Sequence, residues 1–238
     1  MKLHELSADA YGRAKNLFGP IPGAAFLLEA GLGKIFVDDS AEPQCAYLET
    51  PWGMHYFAGA YDRTFLKEAL SHIFNDILPA QTLHPYVFAF GSRPVWLREI
   101  RRRTWRYKGR KAMRRLYHLN PAEYRPPERR PDGFRYALEE RDGETRAVAY
   151  DGNLEAAHCG GSQGAGMMDL DVFVTEAYRR RGLGSTVTAM MIDHCLARGV
   201  QPQAGIWALN EPSWRTAEKL GFTLTAEFEG YIIEARKL

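Results

Sequence analysis

The sequence predicts an α/β chain with a mixed sheet, built as two successive halves on one plan. Three observations predict it. The hydrophobic period changes abruptly at one place: residues 168–174 alternate, with Leu170, Val172 and Val174 on one side and Asp169, Asp171 and Phe173 on the other. That is a half-buried strand. From Ser185 the apolar positions Val187, Met190, Met191 and Cys195 recur at helical spacing until Gly199 stops them. The order of such segments then repeats along the chain, and 238 residues with 45% hydrophobic and 25% charged content suffice for one large or two small domains.

In order, Ser7 to Phe18 reads as a helix ended by Pro20 and Pro22, and a second short helix runs to Glu29. Strands are expected at Lys34–Val37, Cys45–Glu49 and His55–Ala58, with turn residues between them. Helical period covers 62–77, Pro85–Phe90 is an apolar strand, Pro94–Arg103 a helix and Lys111–Leu119 a strand. The second half gives the same order: strands 145–150, 154–159 and 168–174, a helix over 185–198, a strand at 204–209, a helix over 211–220 and a strand over 223–235. This predicts a degenerate first half at 1–120 and a second domain at 134–238. The proline-rich stretch 121–133 is the linker, since it continues neither a helix nor a ladder.

The chemistry concentrates in the turn between strand and helix, Arg179-Arg-Arg-Gly-Leu-Gly-Ser185. A helix start leaves backbone N–H groups unpaired and carries about half a positive charge. Glycines let an anion approach those donors, and three arginines add charge. A phosphate or pyrophosphate is the guest such a turn suits. The turn lacks the Lys-Ser/Thr pair of a nucleotide P-loop, and Val187 stands where a dinucleotide fingerprint needs its third glycine. The equivalent turn of the first half, Phe57-Ala-Gly-Ala-Tyr-Asp62, has one glycine and no arginine ahead of it, so no pyrophosphate is expected there.

Arg179-x-x-Gly182-x-Gly184 resembles the Q/R-x-x-G-x-G/A turn of the GNAT acyltransferases. The resemblance continues through Gly205-Ile-Trp-Ala-Leu209, Asn210-Glu-Pro-Ser213 with Asn210 as helix N-cap, and Lys219-Leu-Gly-Phe222 with Gly221 as the C-terminal stop. Asp151-Gly-Asn-Leu154, Gly33-Lys-Ile-Phe-Val-Asp-Asp39 and Tyr56-Phe-Ala-Gly59 resemble the branch of that family containing the zwittermicin A resistance acetyltransferase. The likeness spans 145–233 most clearly, and the helical lead-in between Pro121 and Thr145 looks shortened. The resemblance implies a GNAT fold in tandem and acetyl-CoA as acyl donor. It implies that Arg179, Arg180, Arg181, Gly182, Leu183, Gly184 and Ser185 hold the pyrophosphate. Phe173 and Val174 would pair with the pantetheine arm, and Asn210 and Ser213 would border it. The acceptor implied is a small-molecule amine, with a protein amine as the rival, and the family allows a homodimer.

Attack by an amine needs a base, because alkyl ammonium groups titrate near pH 10. Asp169 and Asp171 share the polar face of the donor strand and are the candidate bases, with His158 on the neighbouring strand as rival. Either carboxylate could equally bind backbone at the strand end. Seven residues after Asn210, where many GNAT enzymes place a tyrosine acid, stands Ala217; Tyr231, water or an unaided thiolate would serve instead.

Net charge is +2, but residues 98–130 hold thirteen Arg/Lys against three Glu, with Trp105, Tyr107, Tyr117 and Tyr124 among them. A solvated face is the commonest outcome of such a run; an anion cradle and an RNA-facing surface are the alternatives, nucleic acid being the less expected. Three cysteines at 45, 159 and 195 form no disulfide framework, and the N-terminus has no signal-peptide pattern, which points to the cytoplasm. No apolar run reaches membrane-spanning length, and no metal is expected.

Overall fold

A computed structural model describes residues 3–80, 86–141 and 143–237. The chain forms two compact units: residues 1–114 with 228–238, and Arg115–Glu227. In order the elements are β1 (His4–Glu5), α1 (Gly12–Phe18), α2 (Ala24–Glu29), β2 (Lys34–Val37), β3 (Cys45–Glu49), β4 (Met54–Gly59) and α3 (Arg63–His72). A π-helical turn at Ile73–Ile77 leads to α4 (Leu78–Ala80), then β5 (Tyr86–Gly91), α5 (Pro94–Arg103) and β6 (Tyr107–Leu119). The second half contains β7 (Arg135–Arg141), β8 (Glu144–Asp151), β9 (Leu154–Gly164), β10 (Met167–Val174), α6 (Leu183–Ala197), β11 (Gln201–Trp207), α7 (Glu211–Lys219) and β12 (Phe222–Lys237). Pro85, expected to open a strand, lies outside the described residues.

The first unit's sheet runs β1-β2-β3-β4-β5-β12-β6. β4 and β5 are parallel, while β12 pairs antiparallel with β5 from Gly230↔Phe90 to Glu234↔Tyr86. Its core gathers Tyr47, Phe57, Phe65, Leu66, Ile73, Trp96, Ile100 and Ile233, all essentially buried. α3 presents Phe65, Leu66, Ala69 and Leu70 to this core, the i, i+1, i+4, i+5 stripe of a half-buried helix.

The second unit's sheet runs β12-β6-β11-β10-β9-β8-β7. α6 packs Leu183, Val187, Met191 and Cys195 against Ala147, Ala157, Cys159 and Met168 of the sheet. The alanines and cysteine there leave room for a helix buried nearly all round. α7 ends in Gly221, whose φ is +96° and whose Cβ position lies 2.4 Å from Glu123 O, so only glycine fits.

Two features depart from the expected plan. The halves exchange their final strands: β12, at the end of the chain, joins β5 in the first unit, whereas β6 neighbours β11 in the second. The two compact units divide β6 at Arg114/Arg115 and β12 at Glu227/Phe228. Residues 135–141 form a strand, β7, that the sequence leaves unassigned; Tyr136, Ala137 and Leu138 lie between charged residues and pair with Ala149, Val148 and Ala147 of β8. The stretch 121–133 holds a short 3-10 turn at Pro121–Glu123 and little regular structure otherwise.

Candidate active site

The site in the second unit starts from β10. Among the described residues its parallel pairing with β11 runs over Met167–Asp169 against Gln201–Gln203. Pairing with β9 on the other side continues to Val174↔Ala157. Beyond Asp169 the β11 side of β10 is therefore open, and backbone groups there can meet an extended guest. Asp169 sits at the fork: its Oδ1 accepts the N–H of Gly205 at 3.1 Å.

The turn after β10 is fastened from three sides. Arg179 Nε donates to Val174 O at 3.2 Å. The Tyr178 hydroxyl donates to Asp151 Oδ2 at 3.0 Å, which gives the Asp151-Gly-Asn-Leu154 turn a structural task. The Arg181 guanidinium lies 5.4 Å from the centre of the Tyr178 ring. Arg180 and Gly182 both take positive φ, 62° and 81°, and an arginine there is uncommon enough to mark a shaped turn.

α6 then begins without a side-chain cap, its N-cap being Gly182. Among the described residues, the N–H groups of Leu183, Gly184 and Ser185 have no acceptor. α3, at the equivalent place in the first unit, is different: Asp62 is its N-cap and accepts the Phe65 N–H at 2.7 Å. One helix supplies its own anion and the other waits for one. Beside Gly182 lies a cavity of about 450 Å³, lined by Arg129, Arg130, Arg181, Gly182, Ser185 and Thr186 among others. Arg129 pairs with Asp132 at 2.6 Å. In the sequence Arg129 and Arg130 belong to the basic run 98–130, for which an anion cradle is one alternative; spacing along the chain does not show that this loop returns beside Gly182.

The expected site residues divide as follows. Leu183 is 1% exposed, so its side chain belongs to the core and only its N–H faces the turn. Gly184 packs close, its Cβ position 3.2 Å from Val174 Cγ2, and so tolerates little bulk. Asn210 stands at the N-cap of α7 but makes no side-chain cap bond; its carbonyl accepts from Ser213 N–H at 3.1 Å and Trp214 N–H at 3.2 Å. Ala217 is buried under Tyr117 and Phe222. Tyr231 belongs to the first unit and is not among the residues the second unit gathers.

On the face of the sheet away from α6, Phe173 lies opposite His158 and Asp171 opposite Gly160. The His158 and Phe173 rings stack at 5.6 Å. His158 Nδ1 is 2.5 Å from Glu155 Oε1, and Glu155 also accepts from Arg146 at 3.0 Å. With Nδ1–H donating to the carboxylate, His158 Nε2 carries the lone pair, and among the described residues it has no partner. Asp171 is exposed.

A sequence model of the GNAT acetyltransferase family matches residues 142–231. Solved structures share the fold over almost the whole chain. A GCN5-related N-acetyltransferase-like protein from Streptococcus suis is 20% identical over 95% of this chain and 99% of its own, with a TM-score of 0.74. A GCN5-related N-acetyltransferase from Sphaerobacter thermophilus is 13% identical, covers 98% and 96%, and has a TM-score of 0.64. A tandem GNAT protein from the clavulanic acid biosynthesis pathway is 10% identical over the full length of both chains, with a TM-score of 0.55. No curated protein matches the chain. Residues 142–231 thus match the GNAT acetyltransferase family model, and the chain shares its fold with GNAT proteins over almost its whole length.

Proposed function

We propose that the second unit transfers an acetyl group from acetyl-CoA to the amine of a small molecule. The observation that carries this reading is the contrast between the two equivalent helices: α3 is capped by Asp62, whereas α6 is uncapped and faces arginines. The residues present suit the donor. The N–H groups of Leu183, Gly184 and Ser185 would hold its pyrophosphate, with Arg179, Arg180 and Arg181 on the rim and Arg129 and Arg130 across the cavity. The open side of β10 through Phe173 and Val174 suits an amide-bearing arm, with Asn210 and Ser213 bordering it. Acetyl-CoA supplies the activated acyl group; the chain's own residues orient it and manage one proton.

His158 Nε2 takes the proton that the acceptor amine loses as its nitrogen bonds to the acyl carbon, while Glu155 holds the ring in the required tautomer. Asp171, diagonal to His158 on the same face, is the second candidate and attracts the acceptor's ammonium form, which gives one proton to solvent before the neutral amine attacks and gives the next to His158. Asp169 acts by holding the fork open. Ala217 offers no proton, so the thiolate leaves to solvent, which its ordinary pKa near 8.5 permits. The motifs shared with the zwittermicin branch support a polyhydroxylated amine as acceptor, and three buried thiols suit a reducing cytoplasm.

The test is calorimetric titration with acetyl-CoA, wild type beside Ser185→Glu. Glutamate at this position suits a helix start and keeps the fold, yet repels a phosphate. Saturable binding that the substitution weakens by more than about tenfold supports the site. Equal binding by both proteins sinks it. Amines are then screened by thiol release.

A further inference from the structure

The first unit has a cavity that the acyl-transfer reading does not use. It measures about 690 Å³ and lies among Leu97, Arg101, Trp105, Lys111, Glu229 and Tyr231. That volume is within the usual range for small-molecule sites. Three features of its lining bear on a guest. Trp105 is 68% exposed, an unusual position for the largest apolar side chain, and the Arg106 guanidinium lies 5.2 Å from its ring centre. Arg101 has no carboxylate partner among the described residues, unlike Arg98 and Arg102, which share Glu99, and Lys111, which pairs with Glu229 at 2.8 Å. Tyr231 is 8% exposed, and its hydroxyl has no hydrogen-bond partner among the described residues. A nearly buried phenol without a partner faces a ligand or water. Gly109 makes room for it: a Cβ there would stand 2.4 Å from the Tyr231 hydroxyl oxygen.

We propose that this cavity binds a flat aromatic ring carrying a phosphate, a ligand of mononucleotide size. Trp105 offers a stacking face, Arg101 a forked donor pair for the phosphate, and Tyr231 a hydroxyl donor on the inner wall. The remaining cations at the rim favour a doubly charged anion over a singly charged one. A solvated basic face accounts for the exposed arginines, since cations at the end of α5 complement its dipole, but accounts for neither Trp105 nor Tyr231. An RNA track would use the same stacking and charge along a longer surface; Trp105, Arg101 and Tyr231 gathered around one half-open cavity favour the mononucleotide.

The test titrates the full-length protein with AMP, adenosine, inorganic phosphate and oligoadenylate RNA at fixed salt. AMP is expected to bind saturably, with adenosine and phosphate each weaker by about tenfold or more. Arg101→Gln and Trp105→Ala, both on exposed side chains, should each weaken AMP by about tenfold, and Trp105→Phe should restore most of it. Ser185→Glu should leave AMP binding unchanged, which separates this site from the acyl-CoA site. Four results would overturn the proposal: no AMP binding; binding that survives both Arg101→Gln and Trp105→Ala; loss in Ser185→Glu; or RNA binding whose strength and salt dependence grow with length far beyond AMP.

Discussion

The carboxylate of Asp169 accepts the backbone N–H of Gly205 at 3.1 Å, two residues past the last ladder pair between β10 and β11. A side chain here replaces the backbone acceptor that a regular parallel ladder would supply, so the strands separate without stranding that donor. Asparagine keeps an oxygen in the same place and alanine does not. Asp169→Asn should therefore hold stability within about 1 kcal/mol, while Asp169→Ala should lose about 1–3 kcal/mol in urea unfolding. If Asp169→Asn abolished turnover with acetyl-CoA binding intact, Asp169 would be acting as the base and not as the holder of the fork.

The Glu155–His158 pair gives the second prediction. His158→Ala should lower kcat by about 10²–10⁴ with little change in acetyl-CoA affinity, since only proton transfer is lost. Glu155→Gln leaves the imidazole in place but weakens its orientation, so it should lower kcat less than His158→Ala does. An unchanged kcat in both variants would move the assignment to Asp171.

Arg129 and Arg130 supply the third. Replacing both by glutamine removes charge from the cavity beside Gly182 without touching the helix. The KM for acetyl-CoA should rise by about tenfold, with kcat almost unaffected and the salt dependence of binding reduced. Unchanged KM and salt dependence would mean that the linker arginines stay in solvent.

Gly221 is a stability test with an internal control. Gly221→Ala meets both a φ of +96° and a carbonyl oxygen 2.4 Å away, whereas Gly166→Ala meets a φ of +73° with nothing within 4 Å. The second should cost about 1 kcal/mol for the left-handed backbone alone. The first should cost about 2–4 kcal/mol, read as a lower urea midpoint; equal losses would show that the Glu123 segment yields freely.

His55 predicts an acid-side loss of stability. Burial, with His72 nearby adding repulsion, holds its pKa down at about 3. Its Nδ1 lies 2.7 Å from the Tyr47 hydroxyl, and its buried Nε2 has no partner among the described residues. The unfolded chain takes up this proton below about pH 6.5 while the folded chain refuses it until about pH 3. Stability therefore falls as pH drops through that window, by at most about 1.4 kcal/mol per pH unit from this group. His55→Phe keeps a ring against Tyr47 and should flatten the slope; an identical slope would assign the loss to other groups.

Much of the fold was legible because it is written in local periods and stops. The strands Lys34–Val37 and Cys45–Glu49 and the helix Pro94–Arg103 fall at their expected bounds, where alternation, proline and glycine act within a few residues. β7 escaped notice because its alternation is carried by Tyr136 and Leu138 among arginines and glutamates, on a strand where much of the surface meets water. The basic run was legible as charge only. In the structure Arg115 meets Glu227, Lys111 meets Glu229 and Lys108 meets Glu234, all on β12 more than a hundred residues away.

By itself the sequence determined the elements, the glycine-arginine turn and the family resemblance, since each depends on residues close together in the chain. Only the tertiary structure decided which strands pair, and so that β12 joins β5 while β6 neighbours β11. It decided also that Asp169 accepts the Gly205 N–H, that Glu155 meets His158 Nδ1, and that Arg129 and Arg130 line the cavity beside Gly182. Pairing and side-chain partnership depend on distances through space, and the spacing of residues along a chain does not encode those distances.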